Sequence, residues 1–149
     1  MIVYVGSDHQ GFEAKSLVLT YLKKAGYAVV DVGDEKLDPS DDFPVFAARA
    51  VAAIKTSKDN DPRAILICGS GQGMMMAANR FRGIRAGLGW SKEAARSIRN
   101  DEDSNVLALP SELLSTNSSL AHGIIDTWLQ TPFAAATRYI RRNKELDEL

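Results

Sequence analysis

Five short apolar runs, each followed by a segment with helical spacing, set the pattern of the whole chain: Ile2–Gly6, Ala28–Val32, Ile65–Cys68, Ile84–Leu88 and Val106–Leu109. Runs this short suit strands buried on both faces. Between them, Phe12–Ala25 spaces Phe12, Leu17, Tyr21 and Leu22 among lysines and stops at Gly26. Asp42 can cap a helix that carries Phe43, Phe46, Ala47, Ala50, Val51 and Ile54 on one stripe, with Pro44 tolerated in its first turn. Ser91 can cap a helix running to about Asn100, and two more helices are expected over Ser118–Leu129 and from Phe133 to about Leu146. Strand–helix alternation of this kind predicts right-handed crossovers. The expected fold is therefore a three-layer α/β/α, Rossmann-like architecture on a five-stranded parallel sheet. No repeat, low-complexity block or linker interrupts it, so residues 1–149 are expected to form one domain. Ligands of such sheets sit outside the carboxyl ends of the strands. Asp8–His9, Cys68–Gly71 and Arg99–Asn100 are all expected within reach of that edge.

Composition narrows the partners. A net charge of −1 over 149 residues gives no reason to expect nucleic acid or an anionic membrane surface. No apolar run approaches the roughly 18 residues of a membrane span, and Met1–Val5 lacks the basic-then-apolar layout of a signal peptide. The single cysteine cannot close an internal disulfide, which points to a reducing, cytoplasmic setting. Two histidines, His9 and His122, with one cysteine and no close ligand spacing argue against a metal site.

The chemistry concentrates in Ile65–Gly73, where an apolar strand runs into Cys68 and then Gly69, Ser70, Gly71 and Gly73 at a helix entry. The dinucleotide fingerprint would need glycine where Met74 stands, and a phosphate-binding P-loop would need Gly-Lys-Ser/Thr. What remains is a glycine-rich turn whose free N–H groups favour an anion, or simply a tight turn demanded by backbone geometry. Cys68 reads either as a small core hydrophobe or as a thiol that the following helix start favours as thiolate. Ser70 offers a hydroxyl that can relay a proton or cap the helix. His9 is either a turn residue or a ligand at the binding edge. Arg138, Arg141 and Arg142 share one face of the last helix, as a solvated surface or as a phosphate clamp.

Together these segments resemble a known family. Gly6-Ser7-Asp8-His9-x-Gly11-Phe12, Asp42-Phe43-Pro44, Ile67-Cys68-Gly69-Ser70-Gly71-x-Gly73, Ala77-Ala78-Asn79-Arg80, Gly83-Ile84-Arg85-Ala86 and Asn105-Val106-Leu107-Ala108 are similar to the B-type ribose-5-phosphate isomerases and the related galactose-6-phosphate isomerase subunits. The likeness runs in order from Ile2 to about Arg142. It implies a cofactor-free aldose–ketose isomerase of phosphorylated sugars, a homodimer or homotetramer with sites at the subunit boundary, the helix over about 132–146 contributing to the interface. Carried over, Cys68 is the base that moves a proton between C1 and C2, and Ser70 assists at the oxygens. The N–H groups of Gly69 to Gly73 form the anion hole. Asp8 and Asn100 contact sugar hydroxyls, Phe43 offers a stacking face, and His9, Arg138 and Arg142 hold the phosphate.

The chain departs from the family pattern at four places. Arg99 stands where a ring-opening histidine is usual, the following loop Asp101–Ser104 is about two residues longer than usual, Glu112 stands where a phosphate-binding arginine is usual, and Phe43 where tyrosine is common. Two further readings follow. One is an isomerase of an open-chain tetrose phosphate, which needs no ring opening, with Arg99 supplying charge lost at position 112. The other is a non-catalytic sugar-phosphate-binding module. A flavodoxin-like electron carrier is disfavoured, because Asp8–Gly11 makes a poor phosphate cradle after the first strand.

Overall fold

Alternate residues of a strand point to opposite faces of its sheet, and burial here follows that rule on every central strand. The computed structural model describes residues 1–149. Its strands are β1 (Ile2–Ser7), β2 (Ala28–Asp31), β3 (Arg63–Cys68), β4 (Ala86–Leu88) and β5 (Val106–Pro110). Val3, Val5, Ile65, Ile67, Leu107 and Leu109 enter one apolar cluster. Tyr4, Ala64, Leu66, Cys68, Val106 and Ala108, their neighbours in sequence, enter the other. Two cores, one on each face, make the three layers expected from the alternation.

The helices are α1 (Phe12–Lys24), α2 (Phe43–Thr56), α3 (Gln72–Ala78), α4 (Lys92–Asn100), α5 (Ser111–Thr116), α6 (Ser118–Gln130) and α7 (Thr137–Asp147). All strand pairs are parallel, in the order β2-β1-β3-β5-β4. Crossovers that move one way along the sheet use α2 and α3 on one face. Those that move back use α1 and α4 on the other, as a single handedness demands. Between β1 and β3 the chain departs in opposite directions, and the carboxyl ends of these two strands diverge into the turns at Asp8 and Gly69.

Local signals placed most boundaries. Ser91 accepts a hydrogen bond from the Ala94 N–H at 3.1 Å and starts α4, and Pro44 lies in the first turn of α2. Asp42 occupies the cap position of α2 in extended conformation, but its side chain makes no capping bond. Three expectations need correction. The inner face of α1 is Ala14, Lys15, Val18 and Leu22 rather than one that includes Leu17, which is 53% exposed. Lys15 can lie inside because Asp31 and the Asp34 carbonyl take its ammonium at 2.9 and 2.6 Å. The helix expected from Phe133 begins only at Thr137, since Ala135 adopts a positive φ of 50° and the Ala134 N–H donates to the Asn100 carbonyl. The six-residue α5 falls between β5 and α6, too short to show helical periodicity.

Candidate active site

Two turns meet where β1 and β3 end side by side, Ser7 being in register with Ile67. The first, Asp8–Gly11, folds so tightly over β3 that a Cβ on Gly11 would lie 2.5 Å from the Ile67 carbonyl oxygen. The second carries Gly71 at φ +75°, a left-handed conformation that glycine adopts without strain. Gln10 lies over Gly69, and the Phe43 ring from the start of α2 would be 3.2 Å from a Cβ at Gly73. Glycine here is what lets neighbouring groups approach the loop.

Cys68, the last residue of β3, is 6% exposed and packs in the α2–α3 layer with Leu66 and Met74. After it, the N–H groups of Gly69, Ser70, Gly71, Gly73 and Met74 donate to no acceptor of the chain. The Gln72 N–H is taken by Ser70 Oγ at 3.3 Å, so the serine hydroxyl does serve the helix start, from an exposed position. The result is a run of backbone donors directly beyond a thiol. Such donors, fixed in place before reaction, suit negative charge on an oxygen.

Asp8 and His9 flank this run. Asp8 is 6% exposed and accepts from the Gly11 N–H at 3.1 Å. Burial pushes its carboxyl above the usual range, against the opposing effects of that N–H and of His9. His9 Nδ1 lies 2.6 Å from Asp41 Oδ1, and this hydrogen bond raises the imidazole above its ordinary value. Asp41 is a partner of His9 that the sequence did not reveal. Its one signal was membership of an aspartate-rich loop, and 32 positions separate it from His9.

Asn100, Arg138 and Arg142 lie elsewhere, and Arg99 with them. The expectation that Arg99–Asn100 reach the carboxyl edge is overturned by direction: α4 descends between β4 and β5, so its end lies at the amino edge of the strands. At about 3.3 Å per residue, the five steps along β3 separate the two edges by roughly 17 Å. Arg99 is 4% exposed, and its guanidinium donates to Asp103 at 2.9 Å and to the Ser104 carbonyl at 2.6 Å. Burial and the nearby Arg63 press its charge down, and Asp103 opposes them. It braces the loop before β5 through Nη1, and on one chain it lies at the opposite edge from Glu112. Asn100 is half-buried beside Asp101. Helix α7 is tied to the same amino edge by Arg85, which meets Asp147 at 2.9 Å just before β4. Arg138 and Arg142 are exposed on it, and Arg138 also lies over the Tyr139 ring.

The remaining histidine, His122, stacks on Tyr21 with centroids 3.8 Å apart, on the α1–α6 face. No three His, Cys, Asp or Glu side chains gather in a way that could hold a metal ion, and no helix is long and apolar enough to cross a membrane. Glu112 follows β5 at the carboxyl edge and is exposed. The three principal clefts contain none of residues 68–73. One chain presents the N–H run at the carboxyl edge, with the Cys68 thiol buried behind it.

Known proteins with this fold and a related sequence are isomerases, and the chain is an enzyme of the aldose–ketose isomerase class. A crystal structure of a ribose 5-phosphate isomerase from Thermotoga maritima superposes with a TM-score of 0.91 at 39% identity, covering 99% of this chain and 98% of that one. A ribose-5-phosphate isomerase B of Mycolicibacterium paratuberculosis is 36% identical over 142 residues, 95% of this chain and 87% of the relative. A 4-deoxy-4-sulfo-D-erythrose isomerase of a Clostridium species is 38% identical over 133 residues, 89% of this chain and 81% of the relative. The family model described as Ribose/Galactose Isomerase matches residues 3–146. The chain belongs to that family.

Proposed function

We propose that the enzyme interconverts the aldose and ketose forms of a phosphorylated sugar, ribose 5-phosphate and ribulose 5-phosphate being the leading pair. The observation that carries this is Cys68 at the end of the central strand, followed by five unengaged N–H groups and flanked by Asp8–His9. In the open-chain aldose, the Cys68 thiolate takes the proton from C2 and the electron pair moves through the C1–C2 bond onto O1. The N–H groups of Gly69 to Gly73 hold the resulting enediolate. Ser70 carries a proton between O2 and O1, and the Cys68 thiol returns its proton to C1. Asp8 and Asn100 hold sugar hydroxyls, Phe43 lies against the sugar face, and His9, Arg138 and Arg142 take the terminal phosphate. A reducing, cytoplasmic compartment would keep Cys68 in the thiol form this chemistry uses.

One chain cannot assemble that set, because Asn100, Arg138 and Arg142 stand at the opposite edge from Cys68. A second copy docking its amino edge and α7 onto the carboxyl edge would supply them. Exposed apolar side chains at both places support this reading: Phe43 and Trp90 at 38% and 66%, and Ile140 on α7 at 52%. The active form is then a homodimer or a homotetramer built from it, with shared sites.

A four-carbon substrate bearing a terminal anion is the second reading. Such a sugar cannot close a furanose ring, so it needs no ring-opening group. Arg99 is buried and committed internally, and one relative is named for a sulfonated erythrose. Assay of the pure protein with ribose 5-phosphate, erythrose 4-phosphate and 4-deoxy-4-sulfoerythrose decides between them by kcat/KM. Cys68→Ala is expected to lower turnover of the preferred substrate by about 10²–10⁴-fold while ligand still binds. Undiminished turnover in that variant would remove Cys68 from the mechanism.

A further inference from the structure

Asp41 holds His9 twice through one oxygen, which lies 2.6 Å from Nδ1 and 3.1 Å from the backbone nitrogen. Its side chain is 7% exposed, and its other oxygen, Oδ2, is buried with no donor. A carboxylate so placed is costly to bury unless a cation faces it, and the His9 imidazole is the group in contact able to become one. With Asp41 ionised, Nδ1 carries the hydrogen, since an unprotonated Nδ1 would set two acceptors 2.6 Å apart. Nε2 has no partner in the chain, and the ring is 29% exposed at the carboxyl edge. The charged groups facing the ring are all acidic: Asp8 from its own turn, and Asp38 and Asp41 from the loop between β2 and α2.

We propose that Asp41 is a positioning residue that keeps His9 charged with Nε2–H free to donate, so that the proton on His9 gates affinity for the substrate's terminal anion. This rests on the reading of His9 as a contact to that anion. It gives the site a reason to combine a buried, half-satisfied carboxylate with the histidine nearest the loop. The imidazolium is a positive group that one chain itself supplies beside the run of free N–H groups. The hydrogen bond to Asp41 raises the imidazole, and the Asp41, Asp8 and Asp38 charges add to it, while partial burial opposes them. The sign is therefore that binding is fully supported at low pH and weakens as pH rises through the raised value.

A sulfonate substrate isolates the protein's proton, because a phosphate monoester itself titrates near pH ~6 whereas a sulfonate stays a monoanion. Only two histidines are present, so ¹⁵N–¹H spectra yield two titrations, assigned with His9→Gln. In the unmodified protein His9 should titrate above about 6.5 and show the Nδ1–H form. Asp41→Asn should lower that midpoint and raise KM at pH 7.5 by about three- to tenfold, for the sulfonate and the phosphate substrate alike, leaving kcat within about twofold. Below about pH 5.5 the two KM values should converge. An ordinary midpoint in the unmodified protein, or one that Asp41→Asn leaves in place, overturns the positioning role. A lowered midpoint with an unmoved KM overturns the gate and, separately, the reading of His9 as an anion contact.

Discussion

Burying a carboxylate works against folding, and Asp8 is buried with the Asp41 carboxylate nearby. Its raised value means that the folded state binds its proton more tightly than the unfolded state does. The contribution of Asp8 to stability is thus fully present below the ordinary carboxylate value, about 3.9, and is lost as pH rises through the folded value. Asp8→Asn keeps an oxygen for the Gly11 N–H and removes the charge. The variant should therefore be more stable than the natural protein at pH 7, with the gap closing as pH falls towards 3.5, by parallel denaturant melts. A constant gap would show that burial does not set the energetics of this carboxyl. At this scale the candidacy of Cys68, Ser70 and His9 was legible because chemistry-bearing residues sat at strand ends. Asp41 was not, because its pairing depends on a loop folding back over the turn.

Among the elements, α4 carries the main lesson. Its helical spacing and Ser91 cap were readable, but the destination of its last turn follows from the direction in which it runs. Arg99 there joins a buried network under the amino edge: Ser104 also receives the Trp128 Nε1–H at 2.7 Å, and Arg63 donates to the Trp128 and Leu129 carbonyls at 3.1 Å. Arg99→Ala would strand the Ser104 carbonyl and part of Asp103, costing about 2–4 kcal/mol of stability. The expected readout is a lower Tm with KM little changed at a temperature where the variant is folded. A Tm within error of the natural protein, with a large KM effect, would return Arg99 to the substrate. The same reasoning explains the misplaced start of α7: the strap from Thr131 to Ala136 is held by the end of α4 at Asn100.

Across the whole molecule, the proposed site makes assembly a functional matter, because Cys68 is separated from Asn100, Arg138 and Arg142 on one chain. If sites are shared in a homodimer, Cys68→Ala and the double variant Arg138→Ala/Arg142→Ala should each be inactive alone. Mixed in equal amounts and allowed to exchange, they should recover about a quarter of natural activity, since half the dimers are hybrids with one intact site of two. Absence of recovery despite proven subunit exchange would place all the residues of a site on one chain.

Strand and helix identity, the parallel sheet and the thiol–glycine turn are set by the sequence itself, because they follow from local periodicity, caps and conformational freedom. Even the resemblance to the family rests on such contiguous motifs. The order β2-β1-β3-β5-β4, the burial of Lys15 and Arg99, the grip of Asp41 on His9 and the edge to which each site residue belongs were decided only by tertiary structure. These depend on which groups meet across tens of residues and on the direction each helix runs, and neither is written in the spacing of any one segment.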